Sequence, residues 1–333
     1  MSIVKIIMYG TGNAERKYVK EWMEETGNEV KMVTEQLNAQ TVDEAQGFDG
    51  ISTQQTKPLG GPALYKKLTA MGIKQISTRT AGFDMFDLNA CRDNGITVTN
   101  VAVYSPRAIA EMGLTHAMYL LRRIGDYTSR MEEGDFRWNP ELISNEIYNQ
   151  TVGIIGLGNI GGATAQIYKA LGARVLAYDP NKNVEYAPYV EYTDLDTIIK
   201  TADIISLHTP LLPSTKNMLA APQFAAMKNN AIVINMARGA LINTADLIDA
   251  LKNKEIAGAG LDTLADETGF FNHEVAVDDL PDDYKQLQTL PNVLITPHVA
   301  FFTQTSIRNM VEISLNDVVK VVNGQHSRNE VRL

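Results

Sequence analysis

The chain has 333 residues, 44% hydrophobic and 21% charged, an ordinary globular composition with enough length for two cores. Its 30 Lys and Arg stand against 39 Asp and Glu, a formal net charge of -9. That balance argues against nucleic acid or an anionic membrane as partner. The single cysteine excludes an internal disulfide framework and fits a reducing compartment. No Cys/His group has metal-ligand spacing, so no metal is expected. No apolar run approaches the roughly 20 residues that span a bilayer, and the first residues have no signal-peptide layout. The expected location is the cytoplasm.

In chain order, short apolar runs alternate with amphipathic helical stretches. The first runs are VKIIMY, EVKMV, GIST, QIST and ITVTN, which predict five strands. Ser105 and Pro106 then offer a helix cap and a first-turn proline. The pattern AIAEMGLTHAMYLLRRIGDY predicts one long helix, with Arg122 and Arg123 on its solvated face. VGII and RVLAY follow, then ADIISLH, AIVINM, AGAGLD and NVLITPH. Residues 265–290 are acidic and aperiodic, which predicts a long loop with a short helix. TSIRNMVEISLNDVVKVVNG is a last helix, able to pack back on the first domain. The alternation predicts an α/β fold of two Rossmann-like, doubly wound parallel-sheet domains. The second is inserted into the first, giving 1–102 with 300–333 and 103–299.

The inserted part opens on the most specific motif. Gly156, Gly158 and Gly161 have G-x-G-x-x-G spacing between a strand and a helix. The first glycine allows the tight turn, the second lets a pyrophosphate approach the backbone, and the third lets helix and strand pack closely. Amide N–H groups at the helix start favour phosphate charge. Asp179 ends the next strand, roughly 20 residues on, where a carboxylate accepts from ribose hydroxyls. Strand, turn, helix, strand and acid together point to a dinucleotide site.

Three further residues close predicted strands on the same side: Arg238 in INMARGALI, Glu267 after GLDTLAD, and His298 in ITPHVAFF. Ligands of open α/β sheets bind beyond the carboxyl ends of strands. A guanidinium grips a carboxylate with two parallel hydrogen bonds. An imidazole titrates near neutrality and can exchange a proton with an alcohol oxygen. A carboxylate beside it would orient the ring. Of the remaining histidines, His208 reads as structural or cofactor-lining, and His116, His273 and His326 carry no functional signal. Cys91 reads as a small filler in a helix.

These segments resemble the NAD-dependent D-2-hydroxyacid dehydrogenases, in the branch of the D-lactate and D-2-hydroxyisocaproate enzymes. The resemblance runs through NVAVYSPRAIAE, TVGIIGLGNIGG, ADIISLHTPLLPSTKNML, NAIVINMARGALINT, GAGLDTLADETGFF and PNVLITPHVAFFTQTSIRNMV. It implies NAD as cofactor and reduction of a 2-oxo acid to a D-2-hydroxy acid, with pyruvate and D-lactate preferred. Arg238 would bind the substrate carboxylate, His298 would act as acid/base, and Glu267 would pair with His298. Asn159 and Ile160 would line the pyrophosphate turn with the glycines. Thr209, Pro210, Thr215, Met236, Ala237 and Asp262 would lie along the cofactor, Asp262 near the nicotinamide. Gln54, Ala81, Gly82, Tyr104 and Phe301 would face the substrate. A homodimer through the nucleotide domain is also implied.

The chain departs from the family at two places. Met112 stands where many members have His after the AIAE run. Gln54 stands where the lactate branch often has Tyr and the isocaproate branch Leu. Larger 2-oxo acids, such as 2-oxo-isocaproate or phenylpyruvate, therefore stay open as substrates. Pro180 and Asn181 follow Asp179 without an arginine for a 2′-phosphate, favouring NAD over NADP, although Lys182 is near. An NADH-sensing, corepressor-like binding protein is the non-enzymatic alternative.

Overall fold

Every apolar run read as a strand forms one, in a computed structural model that describes residues 3–55 and 57–331. In chain order these are β1 (Lys5–Tyr9), β2 (Glu29–Met32), β3 (Gly50–Thr53), β4 (Gln75–Thr78) and β5 (Thr97–Asn100). β6 (Thr151–Ile155), β7 (Arg174–Tyr178), β8 (Glu191–Tyr192) and β9 (Ile204–Leu207) follow. β10 (Ile232–Asn235), β11 (Gly258–Leu261) and β12 (Val293–Ile295) complete the set. The two-residue β8 is too short to leave a hydropathy signal.

Contacts divide the chain into one unit of Met1–Ser105 with Phe302–Leu333 and a second of Pro106–Phe301. In the first, five parallel strands run in the order β2-β1-β3-β4-β5. β3 and β4 are buried throughout, as strands covered on both faces must be. The helix Gln304–Val322 lies on β3 and β4 and beside the helix Arg16–Thr26. Ser52 and Ser314 hydroxyls meet at 2.8 Å in that interface, so a polar pair inside an apolar layer is satisfied. Cys91, in the helix Leu88–Asp93, is buried, and burial pushes its thiol up to about 12.

The second unit has seven parallel strands in the order β12-β11-β10-β9-β6-β7-β8. Strand order reverses at β6, which is flanked by β9 and β7, so the crevice beyond its carboxyl end is a topological switch point. The helix Pro106–Leu121 packs on the helix Asn159–Ala170 and over β10 and β11.

The single long helix expected after Pro106 is two. It stops at Leu121, and a new helix, Ile124–Glu132, begins after Arg123 adopts a left-handed φ of 53°. Apolar periodicity continues across the break, which is why hydropathy misses it. Arg123 thus sits at the break between two helices, paired with Asp126 at 2.8 Å, not on one continuous helix face. Residues 265–290 contain two short 3-10 turns and the helix Asp282–Gln288. Among the described residues, no helix is long and apolar enough to cross a membrane.

One buried ion pair ties the strand ends of the first unit together. The Arg79 side chain is wholly buried and meets Glu15 at 2.6 Å. Its remaining N–H groups donate to Ser52 Oγ at 3.1 Å and to the Tyr9 and Gly10 carbonyls at 3.0 Å. The guanidinium therefore links the ends of β1, β3 and β4. Removing one partner of such a pair leaves a buried charge uncompensated. Arg79→Met should cost about 3–5 kcal/mol in urea denaturation, and adding Glu15→Gln should recover part of that loss. A loss under about 1 kcal/mol would show that water reaches Glu15 freely.

Candidate active site

The glycine turn is shaped by contact. Gly156 has φ +93°, and a Cβ there would lie 2.7 Å from the His208 carbonyl. A Cβ on Gly161 would lie 2.0 Å from the Gly156 carbonyl oxygen, so helix and turn can pack this closely only without one. Gly158 caps the helix that starts at Asn159 and Ile160, and nothing lies within 4 Å of where its Cβ would be. The turn thus presents amide groups to open space at a helix N-terminus, which fits a pyrophosphate. At the end of β7, Asp179 accepts from Leu157 N–H at 2.7 Å with one oxygen and from Asn181 N–H at 2.8 Å with the other. Each oxygen keeps a lone pair for a ribose hydroxyl. Lys182 holds its ammonium over the Tyr192 ring, 5.6 Å from the centroid.

His208, Thr209 and Pro210 follow β9, the next strand along. His208 Nε2 meets Ser206 Oγ at 2.8 Å, and burial holds its imidazole down to about 4. Thr215 Oγ1 donates to the Pro210 carbonyl at 2.7 Å and accepts from Leu212 N–H at 2.8 Å. Its hydroxyl therefore braces the loop.

β10 delivers Met236, Ala237 and Arg238. Met236 is buried and Arg238 is exposed, its Nη1 donating to the Ala237 carbonyl at 2.8 Å. Asn235, fully buried, brackets this loop from both sides. It accepts from Ala237 N–H at 3.1 Å and donates to the Arg238 carbonyl at 2.9 Å. Hydropathy overlooked Asn235; a lone amide inside AIVINM was the signal. A Cβ on Gly239 would fall 1.9 Å from the Leu264 carbonyl carbon. The loop bearing Arg238 therefore lies directly on the one leading to Glu267.

Glu267 takes two donors. Its Oε2 accepts from Leu264 N–H at 2.6 Å, and its Oε1 meets His298 Nδ1 at 2.5 Å. The neighbouring acid Asp266 instead supplies a left-handed turn, φ 57°. His298 also has a left-handed φ of 55°, uncommon for a residue with a Cβ. Asp262 holds that turn: Oδ1 accepts from Val299 N–H at 3.0 Å and Oδ2 from Ala300 N–H at 2.9 Å. Thr296 Oγ1 also lies 2.5 Å from Oδ1. Burial raises the Asp262 carboxyl, while these donors pull it back toward the ionised form. Phe301 follows directly on this turn.

In the first unit, Gln54 follows β3, Ala81 and Gly82 follow β4, and Tyr104 follows β5, all beyond carboxyl ends. The turn at Ala81 is pinned by two side chains that sequence reasoning did not single out. Asn100 Nδ2 donates to the Ala81 carbonyl at 2.7 Å, and Thr80 Oγ1 donates to that of Gly82 at 2.6 Å. Gln55, beside Gln54, is turned inward, its amide bridging Leu37 N–H at 3.1 Å and the Leu37 carbonyl at 2.9 Å. Asn309 Nδ2 donates to the Tyr104 carbonyl at 2.5 Å.

Met112 is half-buried, whereas His116, one helical turn on, is 1% exposed and meets Thr296 Oγ1 at 3.2 Å. Burial lowers its imidazole from 6.5 to about 4. The unfolded chain then binds a proton below 6.5 that the fold refuses down to about 4, so stability falls as pH falls through that window. The full effect is about 3 kcal/mol. Urea midpoints at about pH 7.5 and about pH 5 should separate more for the native chain than for His116→Gln. Equal separations would contradict a neutral buried imidazole.

Comparison with known proteins agrees with this geometry. The family pattern described as D-isomer specific 2-hydroxyacid dehydrogenase, NAD binding domain, matches residues 114–300. A D-2-hydroxyacid dehydrogenase (NAD(+)) of Clostridioides difficile is 41% identical over 98% of this chain and 100% of its own. The D-lactate dehydrogenase of Lactobacillus jensenii, solved with NAD+, is 50% identical with a TM-score of 0.94, covering 99% of this chain and 100% of its own. A solved D-2-hydroxyisocaproate dehydrogenase is 37% identical with a TM-score of 0.92, covering 98% and 99%. With the glycine turn, the acid that follows β7 and the strand-end Arg, Glu and His all in one unit, the chain belongs to the D-isomer-specific 2-hydroxyacid dehydrogenases, NAD-dependent oxidoreductases.

Proposed function

We propose that this dehydrogenase interconverts pyruvate and D-lactate, with Arg238 as carboxylate anchor and His298 as acid/base supported by Glu267. The observation that carries the reading is the 2.5 Å contact between His298 Nδ1 and Glu267 Oε1. It commits Nδ1 to the carboxylate and leaves Nε2 as the nitrogen that exchanges a proton with substrate. Glu267 thereby sets which ring nitrogen of His298 is turned toward substrate. Arg238, exposed at the end of β10, offers N–H groups to a carboxylate. Gly156, Gly158, Asn159, Ile160 and Gly161 would hold the pyrophosphate and Asp179 the ribose. Thr209, Pro210, Thr215, Met236, Ala237 and Asp262 would line the rest. Bound NADH supplies the hydride that reduces the carbonyl carbon.

His298 then gives its Nε2 proton to the oxygen and, in the reverse direction, takes it back. Ala81 and Gly82 are assigned to the substrate carboxylate; Gln54, Tyr104 and Phe301 to its side chain. The likeness to the D-lactate dehydrogenase of Lactobacillus jensenii supports pyruvate. Gln54 and the likeness to D-2-hydroxyisocaproate dehydrogenase support larger 2-oxo acids as the second reading.

Pairing of two chains through the second unit belongs to the same proposal. It is supported by exposed Phe136, Trp138, Ile143 and Tyr148, of which Trp138 is 97% exposed. The cytoplasm remains the proposed location.

Initial rates of NADH oxidation with pyruvate, 2-oxo-isocaproate and phenylpyruvate, with chirality of the product, test the substrate. Pyruvate should be fastest and give D-lactate; a faster larger acid would move the substrate and keep the machinery. His298→Gln should lower kcat by about 100-fold or more while NADH affinity stays within about twofold. Parallel losses in both would remove the acid/base role. Trp138→Asp should shift sedimentation from dimer toward monomer, and an unchanged dimer would place the interface elsewhere.

A further inference from the structure

His116 lies outside the roles assigned above, yet it is joined to them through two side chains. Its Nε2 is 3.2 Å from Thr296 Oγ1, and Thr296 Oγ1 is 2.5 Å from Asp262 Oδ1. A carboxylate accepts and does not donate, so the one hydroxyl hydrogen of Thr296 goes to Asp262. The hydroxyl lone pairs then face His116, whose Nε2 must carry its proton and donate it. That assignment makes His116 the neutral Nε2–H tautomer with a bare Nδ1. The buried Nδ1 indeed has no hydrogen-bond partner among the described residues. A bare ring nitrogen tolerates burial better than an N–H without an acceptor.

The pocket for this ring is made by an absence of side chain. A Cβ on Gly260 in β11 would lie 2.8 Å from His116 Cβ and 3.1 Å from Nδ1. Gly260 thus seats the imidazole on the sheet, two residues before Asp262. At the other end of the chain of bonds, Asp262 holds the Val299 and Ala300 amides. Those amides follow the left-handed turn at His298, whose own N–H donates to the Thr296 carbonyl at 2.9 Å. Thr296 therefore contacts the His298 turn through its backbone and His116 through its hydroxyl.

We propose that His116 is a positioning residue: a neutral imidazole donating through Thr296 to Asp262, which fixes the turn that aims His298. The inference rests on His298 as acid/base. A neutral donor suits the place, since it satisfies the Thr296 hydroxyl without adding a charge to a buried site. A bare Thr296 hydroxyl could rotate away and leave Asp262 one donor short. The turn at His298 would then relax from its left-handed geometry.

The test compares the full-length chain with His116→Leu, which deletes the donor, His116→Gln, which keeps an N–H at similar reach, and Thr296→Val. With NADH and pyruvate, His116→Leu should lower kcat roughly tenfold while NADH affinity is unchanged, and His116→Gln should restore most of it. Thr296→Val should match His116→Leu, and the double variant should be no worse than either, because both cut one chain of bonds. In nitrogen-15 spectra the His116 ring should be the neutral Nε2–H form, and the His298 Nδ1–H signal should shift in His116→Leu but not in His116→Gln.

Additive losses, a kcat for His116→Leu within twofold of native, or no rescue by Gln would overturn the proposal. Should His116→Leu fail to fold, Thr296→Val against Thr296→Ser answers the same question, with Ser expected to retain turnover and equal losses counting against it. Full activity in His298→Gln would instead defeat the acid/base reading. The His298 signal would still report whether His116 sets the turn.

Discussion

Asp262 ends β11 with a carboxylate that is 1% exposed, and both of its oxygens are used on the segment that carries His298. An ionised carboxylate is kept out of water only when donors surround it. Here those donors are two consecutive backbone amides and a hydroxyl, which converts an electrostatic requirement into a geometric one. The amides must point at Asp262, so the chain must turn sharply just before them. The residue left to absorb that turn is His298, at φ 55°. Glu267 then completes the ring's orientation from a different strand end.

The same logic extends along the sheet edge. Asn235 fixes the carbonyl and amide of the loop after β10, and Gly239 lets that loop rest on Leu264. Leu264 N–H in turn holds Glu267. Arg238, Glu267 and His298 follow three separate strands, and close packing of Gly239 on Leu264 together with hydrogen bonds of Glu267 and Asp262 to the His298 segment links their loops. In the first unit, Arg79 performs a comparable service for β1, β3 and β4.

Much of this was legible before any coordinates. Parallel strands covered on both faces are rich in buried residues, so all but the two-residue β8 left a readable run, and the glycine spacing marked the strand-to-helix turn after β6. Arg238, Glu267 and His298 drew notice because each is a charged or titratable residue in the segment that follows a strand. What stayed hidden has physical causes. The break at Arg123 changes one φ angle without interrupting the apolar stripe. Asn235, Asn100 and Thr80 act through backbone groups, which sequence patterns do not display. His116 sits at helical spacing among apolar neighbours, and its link to Thr296 crosses 180 positions. Such a residue reads as core until the partner is seen.

Cys91 gives the molecule a practical property. It is the one thiol in the sequence, it is buried in the first unit, and burial pushes it up to about 12. Thiolate is the form that reacts, so the buried native thiol is expected to react slowly with alkylating dyes at neutral pH. A reporter cysteine placed on an exposed loop of either unit would therefore be labelled against a dark background. Distances between the two units could be followed by fluorescence during turnover without first removing a native residue.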